Sequence, residues 1–201
     1  MEKKFYIPLI LSIFSIFILS STVFSSDVHF HFGIKGGFGF TNATVQNHQS
    51  IPNNFFSKQS FAGGFHVNFS HVDFARIQIE TLFIQKGFKR STYQASLNYI
   101  SFPILARFQI PMGIFTNLGF GITYLYNGTV SDLSSGNTRL DDYFDRLEYD
   151  LQAGLGWEFE VFKGGKIFVE GRLTYALNNI SRRYPEEVNH YTTHFYVGFQ
   201  Y

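Results

Sequence analysis

The sequence predicts an all-β protein: an eight-stranded antiparallel up-and-down transmembrane β-barrel, preceded by a cleavable signal peptide. Three observations carry this. Eight stretches alternate large apolar residues with small or polar ones at period two. The connections between them run long, short, long, short to the end of the chain. The composition is also unusual, with 26 Phe, 12 Tyr and 18 Gly but only 15% charged residues, against about 25% in a typical soluble domain.

The same numbers remove other classes. The 201 residues predict one domain. No Cys is present, which excludes disulfide scaffolds, thiol catalysis and Cys-ligated zinc. A formal net charge of +1 argues against a nucleic-acid partner. A mean hydropathy of -0.02 excludes a bundle of membrane helices.

The N-terminus reads as a processing segment. Lys3 and Lys4 precede an apolar run from Phe5 to Leu19, and small and polar residues follow from Ser20 to Ser26. The run is short of the ~20 residues a transmembrane helix needs, so residues 1–25 are expected to be a signal peptide cut near Ser25, with residues 26–201 as the barrel domain. Its removal leaves the remainder formally neutral.

The strands follow in order. From His29 to Thr41, Phe30, Phe32, Ile34, Phe38 and Phe40 oppose His29, His31, Gly33, Lys35, Gly37 and Gly39. Similar splits appear at Phe61–Phe69, Arg76–Phe83, Tyr99–Ile110, Asn117–Tyr126, Glu148–Phe159, Ile167–Tyr175 and His194–Tyr201. Most come close to the ~9–11 residues of a tilted membrane-crossing strand. Pro103 falls mid-strand and lacks a ladder donor, so a bulge or a missing bond is expected there. The long connections are read as Asn42–Ser60, Phe88–Ser96, Gly128–Arg146 and Asn179–His190, the short ones as Ser70–Phe74, Pro111–Gly113 and Phe162–Lys166. Bacterial outer-membrane barrels have short periplasmic turns and long external loops.

Volume and charge decide which face looks out. An eight-stranded barrel has an interior just wide enough for side chains, and two dozen Phe, Ile, Leu and Tyr would overfill it. The opposite face supplies glycines together with Lys35, Arg76, Glu80, Lys86, Arg107, Glu148, Asp150, Glu158, Glu170 and Arg172. Mixed signs permit the pairing that enclosed charges require. The apolar face is therefore assigned to lipid. On it, Tyr124, Tyr126, Tyr149 and Tyr175 sit near the long-loop ends, and Trp157 and Tyr201 near the short turns, as two aromatic girdles.

Five stretches then resemble the PorT-type family of small outer-membrane β-barrels of Gram-negative bacteria. They are Gly33-Ile34-Lys35-Gly36-Gly37, Glu80 to Gly87, Leu97-Asn98-Tyr99-Ile100-Ser101-Phe102-Pro103, Gly154-Leu155-Gly156-Trp157-Glu158-Phe159, and Arg172-Leu173-Thr174-Tyr175. The likeness covers about residues 30 to 201. Ser101 departs from it, standing where the family often has an acidic residue. The resemblance implies an outer-membrane location and no single activity; one branch of the family assists protein secretion.

The chemistry candidates are the interior charges Glu80, Arg107, Glu158, Glu170 and Arg172, read as a network that fills and neutralises the lumen. Hairpin geometry is expected to bring Glu80 to Arg107 and Glu158 to Arg172. No catalytic, cofactor or metal residue is assigned. His29 and His31 share one face at i, i+2 spacing and are not assigned as metal ligands. His48-Gln49-Ser50 is read as loop, and Asp141-Asp142 as a solvated pair. The expected role is structural or binding, without catalysis and without an open pore, and the Gly128–Arg146 loop is the candidate contact surface. An accessory in secretion, a barrel enzyme acting on membrane lipids and a soluble lipocalin-like carrier are the alternatives. Expected partners are outer-membrane lipid, the barrel-assembly machinery through the aromatic C-terminal strand, and an unidentified extracellular or periplasmic partner.

Overall fold

The computed structural model describes residues 29–46, 56–72, 74–89, 93–132, 136–139, 145–178 and 187–201. The predicted signal peptide, His48 and the Asp141-Asp142 pair lie outside them. Nine strands follow in chain order: β1 (His29–Gln46), β2 (Phe56–Val72), β3 (Ala75–Lys89), β4 (Tyr93–Gln109), β5 (Ile114–Asp132), β6 (Gly136–Arg139), β7 (Leu147–Phe162), β8 (Gly165–Ala176) and β9 (Glu187–Gln200). All neighbours are antiparallel. The sheet order is β4-β3-β2-β1-β9-β8-β7-β5-β6, and β4 also pairs with β5. With consecutive strands paired as hairpins, the pairing of β1 with β9 closes eight strands into a barrel, and the short β6 lies against the outer end of β5 beyond the reach of β7.

Closure fixes the tilt. Paired residues traced around the wall run Phe32, Val67, Ile79, Ile104, Phe120, Leu151, Tyr175, Tyr191 and then Asn42, so one circuit returns to β1 ten residues further along. At ~3.3 Å per residue and ~4.8 Å between strands, this stagger corresponds to a tilt of roughly 40°.

The period-two pattern sorts the side chains as the volume argument requires. Phe32, Phe38, Phe65, Phe83, Phe120, Leu155, Leu173 and Val197 point outward and are exposed, whereas Lys35, Glu80, Lys86, Arg107, Glu148, Glu158, Glu170 and Arg172 are buried inside. This is the reverse of a lipocalin-like carrier, whose cavity is apolar and whose outer wall is polar. The interior is more apolar than glycine and charge alone would make it. Leu82, Leu97, Tyr99, Leu105, Phe115, Leu125, Phe168 and Tyr196 are also buried.

The strands outrun the periodic stretches at one end of the barrel. β3 and β4 leave only residues 90–92 between them, so the connection expected over Phe88–Ser96 is mostly ladder. β6 falls inside the expected Gly128–Arg146 loop. Backbone pairing does not need alternation, so a ladder can run on past the last alternating residue. At the other end the connections are short, two residues between β2 and β3, four between β4 and β5 and two between β7 and β8. Pro111–Gly113 forms a single 3-10 turn, in which Met112 (φ 74°) and Gly113 (φ 83°) take left-handed backbone conformations.

At Pro103 the ladder loses pairing without a bulge. β3 and β4 pair at Ile79↔Ile104 and resume at Leu82↔Ser101 in the same register, while Pro103 stays opposite Gly121 on β5. The β4–β5 irregularity lies instead between Asn98 and Tyr99.

Candidate functional site

The lumen holds three tiers of polar side chains. In the middle tier, Arg172 on β8 donates through both terminal nitrogens to Glu80 on β3, at 2.7 and 2.9 Å, and through Nε to Glu170 at 2.7 Å. Lys35 on β1 reaches Glu80 at 2.6 Å and Glu170 at 3.5 Å. Gln152 accepts from Arg172 at 3.0 Å and Asn117 donates to Glu170 at 2.9 Å. Two cations thus face two carboxylates, with amide groups completing the valences, the condition under which enclosed charges are tolerated.

Nearer the turns, Arg107 pairs with Glu158 and donates to Gln78 at 3.1 Å. Lys166 donates to Glu158 at 3.0 Å and Gln200 does so at 3.2 Å. Nearer the loops, Lys86 pairs with Glu148 and lies over the Tyr99 ring. Asp150 accepts from Thr123 at 2.8 Å and from Gln152 at 2.6 Å.

Between the turn-side and middle tiers sits an aromatic layer. Phe115 and Phe168 point inward, edge to face at 6.2 Å, and the Arg107 guanidinium stacks 3.5 Å over the Phe115 ring. Both rings lie in space that glycine leaves open. Gly156 pairs with Phe115 and Gly198 with Phe168, and a Cβ at either glycine would strike the opposing ring.

The five charged residues singled out from the sequence therefore occupy the interior, but two expected contacts are replaced. Glu80 pairs with Lys35 and Arg172, not with Arg107, because β3–β4 register puts Arg107 opposite Arg76 and leaves Glu80 four residues further along. Glu158 bonds to Arg107 and Lys166, not to Arg172, which lies opposite Gly154 on β7.

Sequence reasoning missed a Ser/His contact. Ser60 Oγ lies 2.8 Å from His194 Nε2, and both residues are buried. Ser60 donates its proton to the Gln85 carbonyl at 2.7 Å, so towards His194 it accepts. That polarity is opposite to an activated nucleophile, in which the imidazole accepts the hydroxyl proton. Among the described residues no group of three or more metal-ligating side chains converges. His29 is exposed at the start of β1 and His31 is half-buried.

On the outer wall, Tyr124, Tyr126, Tyr149 and Tyr175 ring the loop side, joined by Tyr191, which pairs with Tyr175. Tyr191 was legible by extending the alternation of β9 back from Phe195. Trp157 and Tyr201 lie on the turn side, where the indole donates to the Met112 carbonyl at 2.8 Å. Tyr149 and Trp157 stand eight residues apart on β7, or roughly 20 Å along the barrel axis at the tilt above. An outward apolar band of ~25 Å between aromatic girdles is the proportion of an outer-membrane barrel.

A family model described as outer membrane protein beta-barrel domain matches residues 24–182. The chain belongs to this family. It is a small outer-membrane barrel, which fits the apolar wall to acyl chains and joins its first strand to its last so that the sheet keeps no open edge, as a bilayer demands. Among solved structures, Neisserial surface protein A is similar over 87% of this chain and 98% of its own, at 12% identity and a TM-score of 0.54. The attachment invasion locus protein Ail of Yersinia pestis aligns over 85% and 98% at 14% identity and a TM-score of 0.46. OprG of Pseudomonas aeruginosa aligns over 85% and 95% at 12% identity and a TM-score of 0.43. The first of these supports the shared fold. The chain matches no curated protein.

Proposed function

We propose that this outer-membrane barrel is a non-catalytic structural or binding protein that works through its external connections and conducts nothing. The observation that carries the reading is the filled lumen. Charged side chains from five of the barrel strands are tied together there, and an inward aromatic layer lies across the path. A barrel built for passage leaves its axis open and wet; here the bulk goes into sealing it. Specificity then falls to the loop end, where β5 and β6 extend beyond the tyrosine girdle into the Gly128–Arg146 segment that carries Asp132 and Arg139.

The finer identity belongs to the same proposal. The PorT-type resemblance supports an outer-membrane accessory role, with protein secretion as the second reading, and residues 1–25 would direct export. The barrel-assembly machinery would read the C-terminal strand.

Two measurements test this. Purified protein in planar bilayers is expected to show no stable conductance; discrete, reproducible channel openings would overturn the sealed-lumen reading. Replacing residues 133–144 with a short Gly/Ser linker should leave the heat-dependent gel shift of a folded barrel intact while abolishing cell-surface binding. Unchanged binding would remove this loop as the contact surface.

A further inference from the structure

Among the described residues, the turn end of the lumen gathers three cationic side chains around one buried carboxylate. Arg76 and Arg107 stand directly opposite on β3 and β4, both facing inward. Like charges facing each other across a ladder repel, so something else must reward the arrangement. Lys166 joins them from β8, and the opposing carboxylates are Glu158 and, at the exposed rim, Glu160, which is paired in register with Lys166.

The oxygens of Glu158 are already claimed. Oε1 accepts from Lys166, and Oε2 accepts from Arg107 and Gln200. Arg76 has only a long 3.5 Å contact from a terminal nitrogen to Oε1, and its side chain is 9% exposed. Its Nε and that terminal nitrogen have no hydrogen-bond partner among the described residues, and neither does the buried Nδ1 of His31. His31, on β1, stands at the same turn end two strands away: it pairs with Asn68, which pairs with Gln78, two residues beyond Arg76. A guanidinium cannot shed its proton to relieve this, and buried donors are rarely left unmet.

We propose that Arg76 and His31 form a binding site for a small tetrahedral oxyanion of the phosphate class, at the turn-end mouth of the barrel. The anion's oxygens meet the unsatisfied nitrogens, and its charge offsets the facing guanidinium pair. Access comes from the turn side. Arg76 is the second residue of β3, and a cavity of about 290 Å³ opens at the same end; Lys166 and Gln109 line it together with Glu158 and Glu160, and Arg76 and His31 lie outside its lining. The ligand is soluble rather than lipid-borne, because both side chains stand on the inner face of the wall and acyl chains lie against the outer one.

The test is titration of inorganic phosphate into detergent-solubilised protein purified from outer membranes, at low ionic strength, followed by calorimetry and phosphorus NMR. Saturable one-site binding is expected. Arg76→Gln should weaken it about tenfold or more, as loss of a charge-assisted donor set implies. Arg76→Lys, which keeps the charge but not the guanidinium, should fall between. Lys163→Gln, in the exposed β7–β8 turn, should bind as the unaltered protein does. Three results overturn the site: no saturable binding, which would leave water alone on these donors; Arg76→Gln titrating normally; or Lys163→Gln losing as much as Arg76→Gln, which would mean diffuse attraction. If Arg76→Gln fails to show the heat-dependent gel shift of a folded barrel, Arg76→Lys decides by the same criteria.

Discussion

Arg172→Met isolates the energetic core of the lumen. The guanidinium of Arg172 serves both oxygens of Glu80 at 2.7 and 2.9 Å, reaches Glu170 at 2.6 and 2.7 Å, and meets Gln152 at 3.0 Å. Methionine keeps most of the length and volume, so the cavity contribution is small. What remains is Glu80 and Glu170 facing Lys35 alone. Breaking a buried pair by removing one partner costs about 3–5 kcal/mol, because the charge left behind is uncompensated. With a urea slope of about 2 kcal/mol/M, the unfolding midpoint should fall by about 2 M. The single tryptophan, Trp157, reports the transition by fluorescence in detergent micelles. The companion Arg172→Met/Glu170→Gln restores one carboxylate to one ammonium and should regain part of the loss, a non-additivity expected of contacting groups. The reasoning is refuted if Arg172→Met unfolds within about 0.5 kcal/mol of the unaltered protein, which is the range of a surface change. It is refuted equally if the Glu170→Gln change adds its own full cost on top.

The remaining predictions concern the wall, the glycines and the chain end. Leu173→Arg places a charge near mid-height on the lipid face, where Leu173 is 61% exposed, and should cost about 2–4 kcal/mol, whereas Arg at Tyr126 near the loop-side girdle should cost about 0–1 kcal/mol; equal costs in urea titrations would deny the bilayer placement. Gly121→Ala puts a methyl group 2.5 Å from the Asp150 carboxylate and 2.9 Å from the Gln152 amide, so it should destabilise by about 1–3 kcal/mol through overpacking. Gly36→Ala meets nothing within 4 Å and should be neutral or stabilising by up to about 1 kcal/mol. Deleting Tyr201 removes the reciprocal main-chain bonds with Phe32, at 2.8 and 2.9 Å, and should lower the heat-shifting fraction in outer membranes; an unchanged fraction would remove the C-terminal residue from insertion.

The wall was legible because a two-residue period leaves only two faces to choose between, and side-chain volume decides. Phe32, Ile34 and Phe38 could not fit the lumen together with their counterparts on seven other strands. Strand ends were less legible: Ala43 to Gln46 continue β1, but the apolar residues there, Ala43 and Val45, fall on odd positions, out of phase with the even run from Phe30 to Phe40. The inward rings were only partly visible, since Phe168 falls on the small-residue face, and only its pairing with Gly198 explains how it fits.

Partners across the lumen were hidden for a different reason. A hairpin loop fixes which residues are neighbours along a ladder, but side chains that meet across a barrel must share a height, and height depends on the stagger of the whole closed sheet. Ten residues of stagger over eight strands mean that a perpendicular path climbs by about 1.25 residues at each strand. From Lys35 the path crosses Gly64 to Leu82; stepping back about 2.5 residues for those two strands lands on Glu80, its observed partner. From Arg107 it crosses Asn117 to Gly154, and about 2.5 residues down the descending strand approaches Glu158, again the observed partner. The ladder positions between Glu80 and Ala176 span four strands, and about five residues back along β8 lies at the level of Arg172. The Glu80–Arg107 expectation failed because it treated ladder adjacency as contact. The missing quantity is the shear, which belongs to no hairpin and exists only once β9 meets β1.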